Sequence, residues 1–166
     1  LRRQAAICGT DAARPLVMMA PKSLIRHPLV ASPAAQLSEG RFQRLLEQEG
    51  LGERPEQVER LVLCSGKIAI DLAESLEKRE RTDWHWLHIA RIEQLYPLPE
   101  KEIQATIGRF PNLREICWVQ EEPQNMGAWR YMTPYLRRLA PLSASVRYIG
   151  RPEHASPASG FQQVHV

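Results

Sequence analysis

Few stretches of this chain place reactive side chains where they could act together. Ser65-Gly66-Lys67 falls between an apolar run and an amphipathic one. Backbone N–H groups at a strand-to-helix turn can hold an anion, and Lys67 would add charge. The phosphate-loop pattern fails, because position 61 is Leu where Gly is required and Ile68 follows the lysine in place of Ser or Thr. A glycine permitting a tight turn is the simpler expectation. Glu121-Glu122-Pro123 follows an apolar run. Paired carboxylates could do acid–base work if one stayed protonated, but neighbours in an extended strand point to opposite faces. They read better as interface charges. The five histidines are His27, His85, His88, His154 and His165, and none pairs with another at helical metal-ligand spacing. His85 and His88, three apart on or beside a strand, point to opposite faces. No nucleophile–base arrangement emerges, so each histidine is expected to be structural or solvent-facing. No catalytic residue and no metal ligand is assigned.

Cys8, Cys64 and Cys117 are odd in number, far apart and outside any CxxC or Cys/His spacing. Cys64 and Cys117 sit within apolar runs and should be buried thiols. Basic residues are 18 Arg against 4 Lys. Arg2, Arg3 and Arg14 lie near Lys22 and Arg26 in sequence, a set that could meet the phosphates of an effector. The same residues would also suit a solvated face or a junction with an upstream domain.

The elements that must position these residues follow from the hydrophobic pattern. At 166 residues, 43% hydrophobic and 25% charged, the chain fits one globular domain with a real core. A net charge of +3 is too small an excess to argue for nucleic acid. The longest apolar run, Leu16 to Ala20, is too short to span a bilayer, and its length suits a buried strand. Residues 22–52, broken by Pro28, Pro33, Gly40, Gly50 and Gly52, read as a long surface excursion in which Phe42, Leu45 and Leu46 pack inward. Pro55 to Glu59 suits a short helical turn, and Leu61–Cys64 a strand. Ile68, Ala69, Leu72, Ala73 and Leu76 form a helical stripe. Trp86–Ile92 is a strand, and Pro97 and Pro99 open a helix whose Ile103, Ile107 and Phe110 share a face. Ile116–Val119 is a strand. Trp129, Met132, Leu136 and Leu139 mark a further helix, with Thr133-Pro134 predicting a kink or restart capped by Thr133. Val146–Ile149 is the last strand. Strands alternating with amphipathic helices imply a mostly parallel sheet with helices on both faces. The opening, Leu1-Arg2-Arg3-Gln4-Ala5-Ala6-Ile7, reads as the end of a helix begun elsewhere. We therefore expect residues 1–14 to be a linking-helix end and lead-in, and 15–166 one domain of a longer chain.

Specific blocks then run in order along the sequence. They are Pro21-Lys22-Ser23-Leu24-Ile25-Arg26-His27-Pro28, Cys64-Ser65-Gly66-Lys67, Arg91-Ile92-Glu93-Gln94-Leu95-Tyr96-Pro97 and Gln120-Glu121-Glu122-Pro123. Asn125, Gly127-Ala128-Trp129, Gly150-Arg151-Pro152 and Ala155-Ser156-Pro157-Ala158-Ser159-Gly160 continue them. Together they resemble the thiamine-diphosphate-dependent first component of the 2-oxoglutarate dehydrogenase family, across nearly the whole chain. Met126 departs from the family's usual Gln.

The resemblance implies an α/β fold of the transketolase C-terminal type: a three-layer α/β/α sandwich on a mostly parallel five-stranded sheet with one antiparallel edge strand. It implies a parent oxidoreductase of the tricarboxylic acid cycle that uses thiamine diphosphate and Mg²⁺, both held by upstream domains. That parent decarboxylates 2-oxoglutarate and passes succinyl to a lipoyl group. Its partners would be the upstream domains, a homodimer mate and the dihydrolipoyl succinyltransferase component, with neither nucleic acid nor membrane. A bacterial member would work in the cytoplasm, a eukaryotic one in the mitochondrial matrix. For this chain, the resemblance implies structural, dimer-stabilising and regulatory work. Arg2, Arg3, Arg14, Lys22 and Arg26 are the effector candidates, and Glu121, Glu122, Asn125, Trp129 and Arg151 the interface candidates. Other readings are the same domain from a related 2-oxoacid dehydrogenase (2-oxoadipate, for example) or transketolase, or a stand-alone nucleotide- or CoA-binding regulatory module.

Overall fold

Strands that are buried on both faces must be apolar at nearly every position, and three runs here meet that demand. In the computed structural model, which describes residues 7–15, 17, 19–79 and 83–157, they become β2 (Arg60–Cys64), β3 (Leu87–Ile92) and β4 (Glu115–Val119). Two edge strands complete a five-stranded sheet of order β1-β3-β2-β4-β5. They are β1 (Leu45–Glu47) and β5 (Ser145–Ile149). β1 runs antiparallel to β3, with Leu45 opposite Ile92 and Glu47 opposite Ala90; every other pairing is parallel.

The helices are α1 (Ala34–Ser38), α2 (Ile68–Glu77), α3 (Glu100–Gly108) and α4 (Trp129–Leu139). α2 starts directly after β2 because Gly66 takes φ +75°, a conformation costly for other residues. Its stripe of Ala69, Ile68, Leu72 and Leu76 packs on Val62, Cys64, Ile89, Cys117 and Val119. Ile103, Ile107, Met132 and Leu136 of α3 and α4 pack on Leu61, Leu63, Ala90, Ile92, Ile116 and Trp118 from the opposite face. Three layers, helix–sheet–helix, result. Charges favour the helix ends: Glu100 and Glu102 lie in the first turn of α3, Arg137 and Arg138 in the last turn of α4.

Three expectations are corrected. The described residues of the Leu16–Ala20 run, Val17, Met19 and Ala20, form no strand and are exposed. The edge place beside β3 belongs instead to Leu45–Glu47, inside the stretch read as a surface excursion. Leu45 packs on the core, but Phe42 is 55% exposed. Finally, α4 runs unbroken through Pro134. The Thr133 hydroxyl donates back to the Trp129 carbonyl at 2.6 Å and caps no restart. Arg130, whose carbonyl Pro134 cannot serve, is exposed along with Pro134, so water can satisfy it.

By Cα proximity the chain divides into two units, Leu1–Ser32 and Pro33–Val166. The first contains two three-residue turns, Lys22–Leu24 and Pro28–Val30, the second capped by His27 Nδ1, which accepts from Leu29 N at 3.3 Å.

Candidate functional site

Strand order alone locates the edge at which an open α/β sheet binds its ligands and partners. β2 connects to β3 on one side, and the chain then crosses back to place β4 on the other. Ligand crevices form outside the carboxyl ends of the strands at such a reversal. A cleft of about 520 Å³ lies there, lined by Ser65 and Gly66 after β2, Leu95 and Tyr96 after β3, Trp118, Gln120 and Glu122 from β4 onward, and Gly127, Ala128 and Tyr131 at the start of α4.

Gln120 organises this edge. It lies two residues beyond Trp118, hence on the same face, and is 5% exposed. Its Oε1 accepts from Trp118 Nε1 (2.8 Å), Ala128 N (3.1 Å) and Trp129 N (3.0 Å). Its Nε2 reaches the carbonyls of Glu122 (3.3 Å), Pro123 (3.2 Å) and Met126 (2.8 Å). One buried carboxamide thus caps α4, which has no side-chain cap at its own first position, and closes the loop leading to it. Gly127, at φ +63°, is needed because a Cβ there would lie 2.8 Å from Gln120 Nε2. Met126 contributes its carbonyl, so the departure at this position leaves the hydrogen bond intact.

The segment after β5 fastens the same loop from outside. The Tyr148 hydroxyl lies 2.9 Å from the Glu122 carbonyl and 2.8 Å from that of Arg151. Burial pushes the phenol up, so it keeps the proton it donates. Arg151 Nε donates to the Glu121 carbonyl at 2.9 Å. Asn125 and the His154 backbone exchange two hydrogen bonds, at 2.9 and 3.1 Å. The Trp129 ring lies 5.5 Å from that of Tyr148. The structure therefore brings Glu121, Glu122, Asn125, Trp129 and Arg151 together in one lip. The carboxylates of Glu121 and Glu122 are exposed at its rim.

Ser65-Gly66-Lys67 is the tight turn expected of it. Lys67 pairs with Asp71 and lies 3.8 Å from Glu121; the hydrogen bond to Asp71, chiefly, raises its pKa. The effector candidates are not assembled in the same way. Arg2 and Arg3 lie outside the described residues. Arg14 donates to its own neighbours, Asp11 O at 3.1 Å and Ala13 O at 2.8 Å. No hydrogen bond or ion pair joins it to Lys22 or Arg26 among the described residues; both are exposed.

A second polar cluster was not legible in the sequence. His88 is 2% exposed, and its Nε2 lies 3.1 Å from Glu47 Oε2. Thr106 donates to Glu47 Oε1 at 2.9 Å, and Arg109 also pairs with Glu47. Burial opposes the Glu47 charge, but the hydrogen bonds from Arg109 and Thr106 hold its carboxyl below the ordinary range. Burial lowers His88 despite the nearby carboxylate. The cluster ties β1 to β3 and α3 and fixes the edge strand. Cys64 and Cys117 are buried as expected, and burial pushes each thiol up to about 12.

The fold and this edge define a three-layer α/β/α domain of the open, mostly parallel kind, whose buried polar groups at the reversal point hold backbone in shape. Residues 31–166 match the family described as 2-oxoglutarate dehydrogenase C-terminal, and the chain belongs to that family. It is 55% identical over 165 residues to a 2-oxoglutarate dehydrogenase E1 component of Geobacillus sp. (strain WCH70). It is 58% identical over 166 residues to E1 components of Bacillus cereus (strain AH820) and Bacillus anthracis. Each alignment covers 99% of this chain and 17% of the relative.

Proposed function

We propose that this chain is the C-terminal domain of a 2-oxoglutarate dehydrogenase E1 component, with residues 15–166 as the domain and 1–14 as its lead-in. The observation that carries this is the near-complete alignment with E1 components of which the chain makes up 17%. The whole enzyme would decarboxylate 2-oxoglutarate with thiamine diphosphate and Mg²⁺ and pass succinyl to the lipoyl group of the dihydrolipoyl succinyltransferase component, in the bacterial cytoplasm. Among the described residues no three His, Cys, Asp or Glu side chains converge to hold a metal ion. The upstream domains of the whole enzyme would hold Mg²⁺ and thiamine diphosphate.

The domain's own work is assembly and regulation. The lip formed by Glu121, Glu122, Asn125, Trp129 and Arg151 faces a neighbouring domain or the homodimer mate. Arg2, Arg3, Arg14, Lys22 and Arg26 receive the phosphates of an effector. No helix among the described residues is long and apolar enough to cross a membrane.

The test is an assay of the full-length protein and of the 166-residue chain with 2-oxoglutarate, thiamine diphosphate and Mg²⁺. Only the full-length protein should turn over. Turnover by the short chain, or a full-length protein that decarboxylates other oxoacids and ignores 2-oxoglutarate, would overturn the reading. Arg3→Ala in the full-length enzyme should weaken effector response and leave basal turnover intact.

A further inference from the structure

Three arginines of this domain share one arrangement. Arg60 lies 5.2 Å from the Trp86 ring centroid and pairs with Glu115. Arg109 lies 5.2 Å from that of Phe110 and pairs with Glu47. Arg138 lies 5.3 Å from that of Tyr135 and pairs with Glu100. In each, the guanidinium carbon lies over an aromatic ring while a carboxylate pairs with the charge, two contacts that the delocalised guanidinium is suited to make together.

The cleft at the carboxyl edge holds two of these three parts. Tyr96 stands at its mouth, 83% exposed. Tyr131 lines the same cleft, fixed by its hydroxyl bond to the Leu95 carbonyl at 3.0 Å and packed 5.2 Å from Tyr135, the ring that already carries Arg138. Glu122 lines the same cleft, and its carboxylate makes no ion pair among the described residues. Among the described residues no Lys or Arg lines the cleft. The nearby cations are committed elsewhere: Lys67 to Asp71 and Glu121, Arg151 to the carbonyls of Glu121 and Pro157. A volume of about 520 Å³ admits one long side chain with backbone on either side.

We infer that this cleft is a docking site for an arginine presented by a peptide segment, its guanidinium stacked on Tyr96 and Tyr131 and its charge met by Glu122. The inference rests on the reading of this edge as an interface and is independent of the reaction the whole enzyme performs. An apolar anchor would leave the Glu122 charge at the cleft without a partner. A phosphate or carboxylate would meet Glu122 and the negative faces of the rings.

The test uses the full-length protein and blocked pentapeptides with a central Arg, citrulline or Leu, followed by saturation-transfer NMR. Citrulline keeps the shape and loses the charge. The Arg peptide should show about five-fold stronger transfer than the citrulline peptide. Glu122→Gln and Tyr96→Ala should each abolish that preference, and Tyr96→Phe should retain it. Equal binding of Arg and citrulline peptides, or an undiminished preference in Glu122→Gln, would overturn the inference. An arginine of the assembled protein could already fill the cleft and block all three peptides. A photo-crosslinking p-benzoylphenylalanine at position 96 of the full-length protein decides that case. A crosslink to a segment with an arginine within two residues upholds the inference, and a crosslink to an arginine-free segment, or none, overturns it. The oxoglutarate assay is read separately, so loss of peptide binding with normal turnover removes only the docking site.

Discussion

Gln120 accepts the indole N–H of Trp118 at 2.8 Å with the same oxygen that caps the backbone of Ala128 and Trp129. A core aromatic and the start of α4 thus depend on one buried carboxamide. Gln120→Ala strands those donors and the Met126 carbonyl, while the carbonyls of Glu122 and Pro123 keep the Tyr148 hydroxyl and the Met126 N–H as partners. Each unsatisfied buried group costs about 1–3 kcal/mol, and relaxation of the loop toward water recovers part. We expect about 3 kcal/mol of lost stability, read from chemical denaturation.

Gln120→Glu separates the two halves of that role. It keeps the oxygen facing Trp118 but turns the other toward the carbonyls of Glu122, Pro123 and Met126. A carboxylate is repelled there, whereas a protonated carboxyl can donate. The introduced group should therefore have a raised folded pKa, giving stability that is present in acid and lost as pH rises. Relative to wild type, this variant should be more stable near pH 5 than near pH 7. A pH-independent deficit would show that the carbonyls do not face the new oxygen.

Gly127→Ala probes the same contact from the loop. At φ +63° any side chain is strained, and the added Cβ would sit 2.8 Å from Gln120 Nε2. We expect a loss of about 2–3 kcal/mol from strain and overpacking. Gly108→Ala at the end of α3 is the control: nothing lies within 4 Å of its Cβ, and alanine favours helix by up to about 1 kcal/mol. Similar losses at both positions would refute the steric account.

The thiols offer a test of burial. Cys64 and Cys117 are buried, with each thiol raised to about 12 by desolvation, and Glu115 adds to the rise at Cys117. Cys8 is exposed. Since the thiolate is the reactive form, alkylation of the native protein followed by peptide mass spectrometry should label Cys8 and spare the other two until denaturant is added. Native labelling of Cys117 would mean that the face of the sheet under α2 opens readily.

These contacts show what a sequence can reveal of such a fold. β2, β3 and β4 were legible because burial on both faces forces continuous apolar runs. The same rule misled at Val17, Met19 and Ala20, since a short apolar run has the same composition whether buried or not. β1 was hidden for the opposite reason: three residues between Gly40 and Gly50 carry too little pattern, and β1 is a strand only because β3 lies beside it. Gln120, Glu122 and Trp129 stood in recognisable blocks, yet the six groups that Gln120 joins belong to residues chosen by the loop's path. Glu47 meets His88 and Arg109 across 41 and 62 residues, and no local spacing encodes that.

His88 gives this hidden cluster a measurable signature. Glu47 meets its Nε2, Thr106 and Arg109 bind the same carboxylate, and the Phe110 ring packs 5.0 Å away. Burial holds the folded imidazole below its ordinary 6.5, so on acidification the unfolded chain takes up this proton first. Stability from His88 is then present above about pH 6.5 and falls as pH drops toward the folded value. Glu47 works in the same direction at lower pH. Although burial opposes its charge, its hydrogen bonds keep the folded carboxyl below its ordinary 4.5, and stability falls again as acid protonates it. Urea midpoints should therefore decline between about pH 7 and about pH 5. His88→Gln retains a polar partner for Glu47 without a titrating group and should flatten that decline, leaving the drop at lower pH in place. Parallel slopes for His88→Gln and wild type would mean that the buried imidazole does not govern the acid response.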